Sequence, residues 1–246
     1  MKSFELTYRV VKIFLPPLYG KVRSRLLKIA RSHKHRPDFL DVGGRKSHYT
    51  IGVPANITVT DLPRETDIQK KLHLGINDEV IDKTLSRRSN LQRMVFDDMT
   101  RSSLPDSSFD CVVAVEVLEH VERDDLFVKE VYRVLKPGGV FVMTTPTGDF
   151  VENTNPDHVR HYTRELLRTV LLSCFKTVEV EYAIRGGVFH DMGLHAWSIR
   201  RPRRTLLSMA GNVVNAIQSA RPALGETAHG SEHLFAVGSK EVSSSS

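Results

Sequence analysis

Between residues 39 and 182 the chain alternates short apolar runs with stretches of helical periodicity. The runs cover 39–42, 57–60, 92–96, 109–115, 140–144 and 177–182, while 78–88, 124–135 and 163–174 repeat apolar residues every three or four positions. Runs this short, bounded by turn residues, read as strands, and their alternation with helices predicts βαβ units and a parallel sheet. A seventh run at 232–238 reads as a last strand. The expected fold is therefore α/β: a doubly wound, mostly parallel seven-stranded sheet with helices on both faces.

Two regions depart from that rhythm. Residues 1–36 form an amphipathic helical segment, with Val11, Phe14, Leu15 and Leu18 at helical spacing, a break at Pro16-Pro17, and then Val22, Leu26 and Ile29 alternating with basic residues. Residues 186–230 form a poorly patterned insertion within the domain expected over 37–240; Leu206, Met209, Val213 and Ile217 predict one helix there, and the arginines between Arg200 and Arg204 read as a solvated patch. Residues 241–246 read as a disordered tail.

Charge changes the picture of the N-terminal segment alone. The chain totals +6, but residues 1–36 hold ten Lys or Arg against one Glu, a net +9, so the remainder sums to −3. A lid packed on the catalytic domain is the preferred reading of this segment, with peripheral contact to an anionic membrane as the alternative. No basic stripe interleaved with aromatics crosses the main domain, so no nucleic acid is expected as a partner. Cys111 and Cys174 lie in apolar runs without metal or disulfide spacing, and no stretch reaches the length of a membrane span. These features predict a cytoplasmic protein.

Candidate chemistry sits where the strands end, because ligands of open α/β sheets bind outside the carboxyl ends of the strands. The first strand runs into Asp41-Val42-Gly43-Gly44, where glycine permits a sharp turn and close approach to a ligand. The second ends at Asp61, a carboxylate that can accept from both hydroxyls of a ribose. After the third come Asp98, able to accept from an exocyclic amine, and Met99, whose neighbouring N–H groups can donate to a purine nitrogen. The fourth ends in Glu116-Val117-Leu118-Glu119-His120-Val121, and Arg133-Val134-Leu135-Lys136-Pro137-Gly138-Gly139 reads as a helix stop and turn.

Taken in order, Asp41 to Gly44, Asp61, Asp98-Met99, LPDSSFD at 104–110, EVLEHV at 116–121 and RVLKPGG at 133–139 resemble the class I S-adenosylmethionine (SAM)-dependent methyltransferases, whose superfamily includes ubiquinone- and menaquinone-biosynthesis enzymes and bacterial small-molecule and polysaccharide methyltransferases. The resemblance covers about residues 38–185 and implies a Rossmann-like domain. It implies SAM as cofactor, with its methionine end over Gly43-Gly44 beside Asp41 and Glu116, its ribose on Asp61 and its adenine near Asp98 and Met99. One departure stands out: the family's loop carries glycine at alternate positions, and here Arg45 and Ser47 fill the second and third.

The implied activity is O-methylation of a small-molecule, lipid or sugar acceptor, a reaction in which a base that removes the acceptor proton helps by roughly 100- to 10,000-fold. His120 and His161 are the candidate catalytic residues, His161 belonging to the polar cluster Asn155–Thr163 with His158 and Arg160; Thr163 is the expected N-cap of the next helix. Glu116, Glu119 and His120 are also a chemically suitable divalent-metal set, although a metal-free site is preferred. The alternative from another class is a SAM-fold protein without catalysis that binds a partner. A nicotinamide dehydrogenase is disfavoured by the absence of a GxGxxG turn.

Overall fold

The computed structural model describes residues 2–63, 76–220 and 228–242. Two helices, α1 (Ser3–Val11) and α2 (Pro17–Ser32), precede β1 (Asp38–Val42) and β2 (Asn56–Asp61); α3 (Asp78–Arg87), β3 (Leu91–Phe96) and β4 (Phe109–Val115) follow. Then come α4 (Asp124–Val134), β5 (Leu135–Pro146), α5 (Arg164–Leu172), β6 (Thr177–Arg185), α6 (Val188–Gly193), α7 (Pro202–Ser219) and β7 (Ser231–Ser239). The strands form one seven-stranded sheet in the order β3-β2-β1-β4-β5-β7-β6. Pairings from β3 to β5 are parallel, and β7 runs antiparallel to both β5 and β6. The α/β fold, its mostly parallel sheet and its seven strands are as the sequence predicts.

Both faces of the inner strands are apolar because both are covered. Leu40, Val42, Val112 and Ala114 face α4 and α5 through Phe127, Val131, Leu167 and Leu171, while Phe39, Cys111 and Val113 face α2 through Leu18, Val22, Leu26 and Ile29. Side chains alternate across a strand, which explains why these strands read as unbroken apolar runs. The Thr163 hydroxyl accepts from the Leu166 N–H as the expected N-cap of α5.

Two local expectations change. Pro137-Gly138-Gly139 lies within β5 and not in a free turn: helix α4 stops at Val134, and the strand bulges where its register with β4 jumps from Phe109↔Leu135 to Cys111↔Val140. Gly138 supplies the left-handed φ of 78° for that bulge. In the insertion the single expected helix is joined by the short α6, and two of the apolar residues that predicted it, Leu206 and Ile217, are exposed on α7. Residues 221–227 and the tail residues 243–246 lie outside the described residues.

The basic N-terminal segment is docked on the domain. Glu5 is buried and accepts from the Ser89 N–H and hydroxyl at 2.8 and 2.7 Å, and Lys2 Nζ donates to the Leu85 carbonyl at 2.9 Å. Among the described residues no helix is long and apolar enough to cross a membrane.

Candidate cofactor and acceptor cleft

A cleft of about 580 Å³ opens along the carboxyl ends of β1–β4, within the range of small-molecule sites. Its wall follows the strand order. Asp98, Met99 and Thr100 come after β3, Asp61 and Leu62 from the end of β2, Gly43 and Arg45 after β1, Glu116, Val117 and His120 after β4, and Asn155, Asp157 and His158 from the loop beyond β5.

The β1 turn is fixed from behind. Gly43 adopts a left-handed φ of 66° and donates its N–H to the Thr60 carbonyl at 2.8 Å; a Cβ there would meet Val117 Cγ2 at 2.9 Å. Asp41 is fully buried and accepts from the Tyr49 hydroxyl at 2.8 Å and the Thr50 hydroxyl at 3.1 Å. Thr50 also accepts from Arg88 Nη2 at 2.6 Å. Burial raises the Asp41 pKa, which these hydrogen bonds and the Arg88 charge only partly oppose. A Cβ on Gly44 would lie 2.2 Å from the Asp41 carboxyl carbon, so the second glycine of the turn is required by that carboxylate. Asp41 and Gly44 thus stand behind the cleft and shape it, while Gly43 and Arg45 form the wall.

On the wall itself, Asp61 accepts from the Leu62 N–H at 2.8 Å through one oxygen and lies 3.8 Å from Arg45 Nε through the other. Asp98 accepts from the Thr100 N–H at 2.9 Å and lies 3.3 Å from Arg101; these contacts outweigh partial burial and lower its pKa. Asp98 is therefore held as an anion, and both carboxylates line the cleft.

The β4 end is more strained and more tightly coupled. Glu116 has a φ of 55°, a backbone region that non-glycine residues enter at a cost of about 1–3 kcal/mol. Its carboxylate accepts from the Thr144 hydroxyl at 2.8 Å and lies 3.1 Å from His233 Nδ1. Burial opposes its charge, but the His233 imidazolium and the Thr144 hydroxyl outweigh burial and hold the carboxyl below its usual value. Glu119 is buried beside it, and burial together with the Glu116 charge pushes its carboxyl well above the usual range. His233 was not foreseen. Its signal was topological: the start of an antiparallel strand lies at the same sheet edge as the carboxyl ends of its parallel neighbours.

Three histidines converge at the end of the cleft beyond β5. His161 Nδ1 lies 3.1 Å from the Val151 carbonyl and so carries the proton; its Nε2 then accepts from His158 Nδ1 at 2.8 Å. His120 Nδ1 likewise donates to the Asp157 carbonyl at 2.9 Å. In the neutral rings this leaves the Nε2 lone pairs of His120 and His158 without a proton. Burial, then the neighbouring His120 and His161, lower the His158 pKa, which favours the neutral form. His161 stands one step behind the wall, and His158 occupies the position on it. Arg160 is held by Asp124 at 2.6 Å and the Glu122 carbonyl at 2.9 Å, which makes it a structural clamp. Glu119, His120 and His158 bring ligand-type atoms within 4.8 Å of one another, whereas Glu116 is engaged elsewhere. That donor set is compatible with a divalent cation.

Residues 40–143 match the family described as "Methyltransferase domain". The chain is 40% identical over 92 residues to a probable S-adenosylmethionine-dependent methyltransferase of Mycolicibacterium smegmatis, covering 37% of this chain and 36% of that protein. It is 32% identical over 132 residues to the mitochondrial ubiquinone biosynthesis O-methyltransferase of Mus musculus, covering 50% of this chain and 34% of the relative. It is 44% identical over 64 residues to a sterol 24-C-methyltransferase of Aspergillus fumigatus, covering 26% and 17%. The chain spans about a third or less of the length of these relatives. Among solved structures, a SAM-dependent methyltransferase from Archaeoglobus fulgidus aligns with a TM-score of 0.55 at 18% identity, over 90% of this chain and 94% of that one, and shares its fold.

Proposed function

We propose that this chain, which belongs to the class I SAM-dependent methyltransferase superfamily, methylates a hydroxyl of a small-molecule, lipid or sugar acceptor in the cytoplasm. The observation that carries the reading is the placement of the His120 and His158 rings, their Nδ1 atoms engaged at the Asp157 carbonyl and the His161 ring, at one end of a cleft whose other end is lined by the Asp61 and Asp98 carboxylates. The cleft suits SAM: it has the volume of a small-molecule site, a left-handed Gly43 where a side chain would collide with Val117, and carboxylates at the ends of β2 and β3.

In this assignment Gly43 and Glu116 border the methionine end, Asp61 accepts from the ribose hydroxyls, and Asp98 with Met99 borders the adenine; Asp41 and Gly44 act through the shape of the turn. Bound there, SAM would supply an electrophilic methyl carbon, with its sulfur as the leaving group that keeps the carbon–sulfur electron pair. The chain's own part is alignment, exclusion of water and movement of one proton. His158 Nε2 accepts the hydroxyl proton as the oxygen takes the methyl group, His161 holds the His158 ring in the required tautomer, and His120 orients the hydroxyl. Because the base must be neutral, turnover falls as pH drops through the His158 value, which burial and the neighbouring histidines hold below that of a free imidazole.

Calorimetric titration with SAM and an acceptor screen test this together. Asp61→Ala abolishes micromolar SAM binding, whereas His158→Asn keeps it and lowers turnover by roughly 100-fold or more with loss of the acid limb. Wild-type protein that binds no SAM, or a His158→Asn variant with full turnover, overturns the reading. The ligand-type cluster favours a second version in which Glu119, His120 and His158 hold a divalent cation. Chelation that lowers turnover and repletion that restores it would select that version.

Contact of residues 1–36 with a membrane is part of the proposal only for α1 and the turn after it. Helix α2 buries Leu18, Val22, Leu26 and Ile29 against the sheet, but Leu6, Val10 and Ile13 face outward.

A further inference from the structure

Helix α7 is amphipathic in the reverse sense. It buries Ser208, Gly211, Asn212 and Asn215 and turns Leu206, Leu207 and Ile217 outward, at 65%, 57% and 66% exposure. At 100° per residue, Leu206, Ala210, Val213, Val214 and Ile217 share one side of the helix, with Leu207 at its margin. The inner side is committed to polar contacts: the Ser208 hydroxyl donates to the Gly193 carbonyl at 3.0 Å, Asn212 Nδ2 to the Phe14 carbonyl at 2.9 Å, and Asn215 Nδ2 to the Arg185 carbonyl. Rotating the helix to hide its leucines would break all three, so the outward apolar face is built in.

Its surroundings extend that face. Ile199, in the approach to α7, is 99% exposed, and Val188 and Leu194 of the neighbouring α6 region are 71% and 63% exposed. An apolar hollow of about 510 Å³ lies between Trp197, Ile199, Pro202 and Leu206. The Asn212–Phe14 bond draws in the segment carrying exposed Ile13. The charge is of one sign: between Asp191 and Glu226 the sequence has five arginines and no carboxylate, and Arg200, Arg201, Arg203 and Arg204 are all exposed.

We propose that α7 and its flanking arginines form a docking surface for an anionic lipid bilayer, on which the helix lies in the interfacial plane without crossing it. Apolar side chains on one face with guanidinium groups beside them match a boundary between acyl chains and anionic headgroups. A second copy of the chain fits less well, because joining two such faces brings like charges together. The surface also connects to the cleft. Helix α6 packs on α7 at Gly211, where a Cβ would lie 2.9 Å from Met192 Cβ, and it places the His190 ring 5.7 Å from that of His233, the partner of Glu116. An acceptor drawn from the membrane would thus enter beside the insertion; this last step rests on the methyl-transfer reading, whereas lipid docking does not.

Flotation of the full chain with phosphatidylcholine vesicles, with and without roughly 30% phosphatidylglycerol, tests the surface. Association with the anionic vesicles is expected, falling at least about tenfold in Leu206→Ser/Leu207→Ser and in the variant with Arg200, Arg201, Arg203 and Arg204 changed to Gln. Far-UV circular dichroism and SAM titration of each variant show that the fold and the cleft survive, so failure of docking is distinguished from failure of the catalytic reading. Absence of wild-type binding, or equal binding by the Leu206→Ser/Leu207→Ser variant, overturns the proposal. A wild-type dimer that the same variant dissolves, without vesicle binding, overturns it in favour of a second copy.

Discussion

Helix α2 lays Leu18, Val22, Leu26 and Ile29 on the sheet and leaves Ser24, Lys28 and Arg31 to solvent, whereas α7 lays Ser208, Gly211, Asn212 and Asn215 inward and leaves its leucines outside. The difference lies in what each helix lands on. Beneath α2 is the apolar face formed by Phe39, Cys111, Val113 and Val237. Beneath α7 are carbonyls of Gly193, His195, Arg185 and Phe14, which need donors once water is removed. Helical periodicity therefore specifies a helix in both places, but the partner surface decides which face is buried.

The largest expected break in this symmetry is Leu26→Asp. Leu26 has no exposed surface, so the substitution removes apolar burial and places a carboxylate in a closed apolar layer. A loss of about 4 kcal/mol or more is expected, a large fraction of a domain's total stability, and urea denaturation should show little cooperative unfolding. A cost below about 1 kcal/mol would mean that α2 is not integral to the core. Next in size is Asn212→Leu, which makes α7 more hydrophobic yet should destabilise by about 1–3 kcal/mol, because the Phe14 carbonyl loses a donor. A stabilised Asn212→Leu protein would refute the claim that polar pairing orients α7.

The same distinction accounts for what could be read in the cleft. Asp61, Asp98 and Gly43 were legible because strand ends and turns announce themselves locally, and the parallel order of β3, β2, β1 and β4 then lines them up. Asp41 and Gly44 carried the same local signal, but Tyr49 and Thr50 draw the carboxylate behind the turn, a contact that spacing along one strand does not reveal. The His233–Glu116 pair joins residues 117 positions apart in sequence and depends on β7 running antiparallel, so no local pattern contained it. His161 was singled out within a polar cluster whose internal geometry places His158 in front of it.

The smallest expected effect is the most discriminating for α7. Leu206→Asp alters a side chain with 65% of its surface already exposed, so it removes little burial, and stability should change by no more than about 0.5 kcal/mol. Leu26→Asp and Leu206→Asp are the same chemical change at similar places in two amphipathic patterns, and their ratio measures how differently the two faces are used. Equal urea midpoints for Leu206→Asp and wild type would confirm that this face is uncovered in the free chain. A loss above about 1 kcal/mol would mean that Leu206 is already covered in solution, most simply by another copy of the chain, and would remove the basis for a lipid-facing helix.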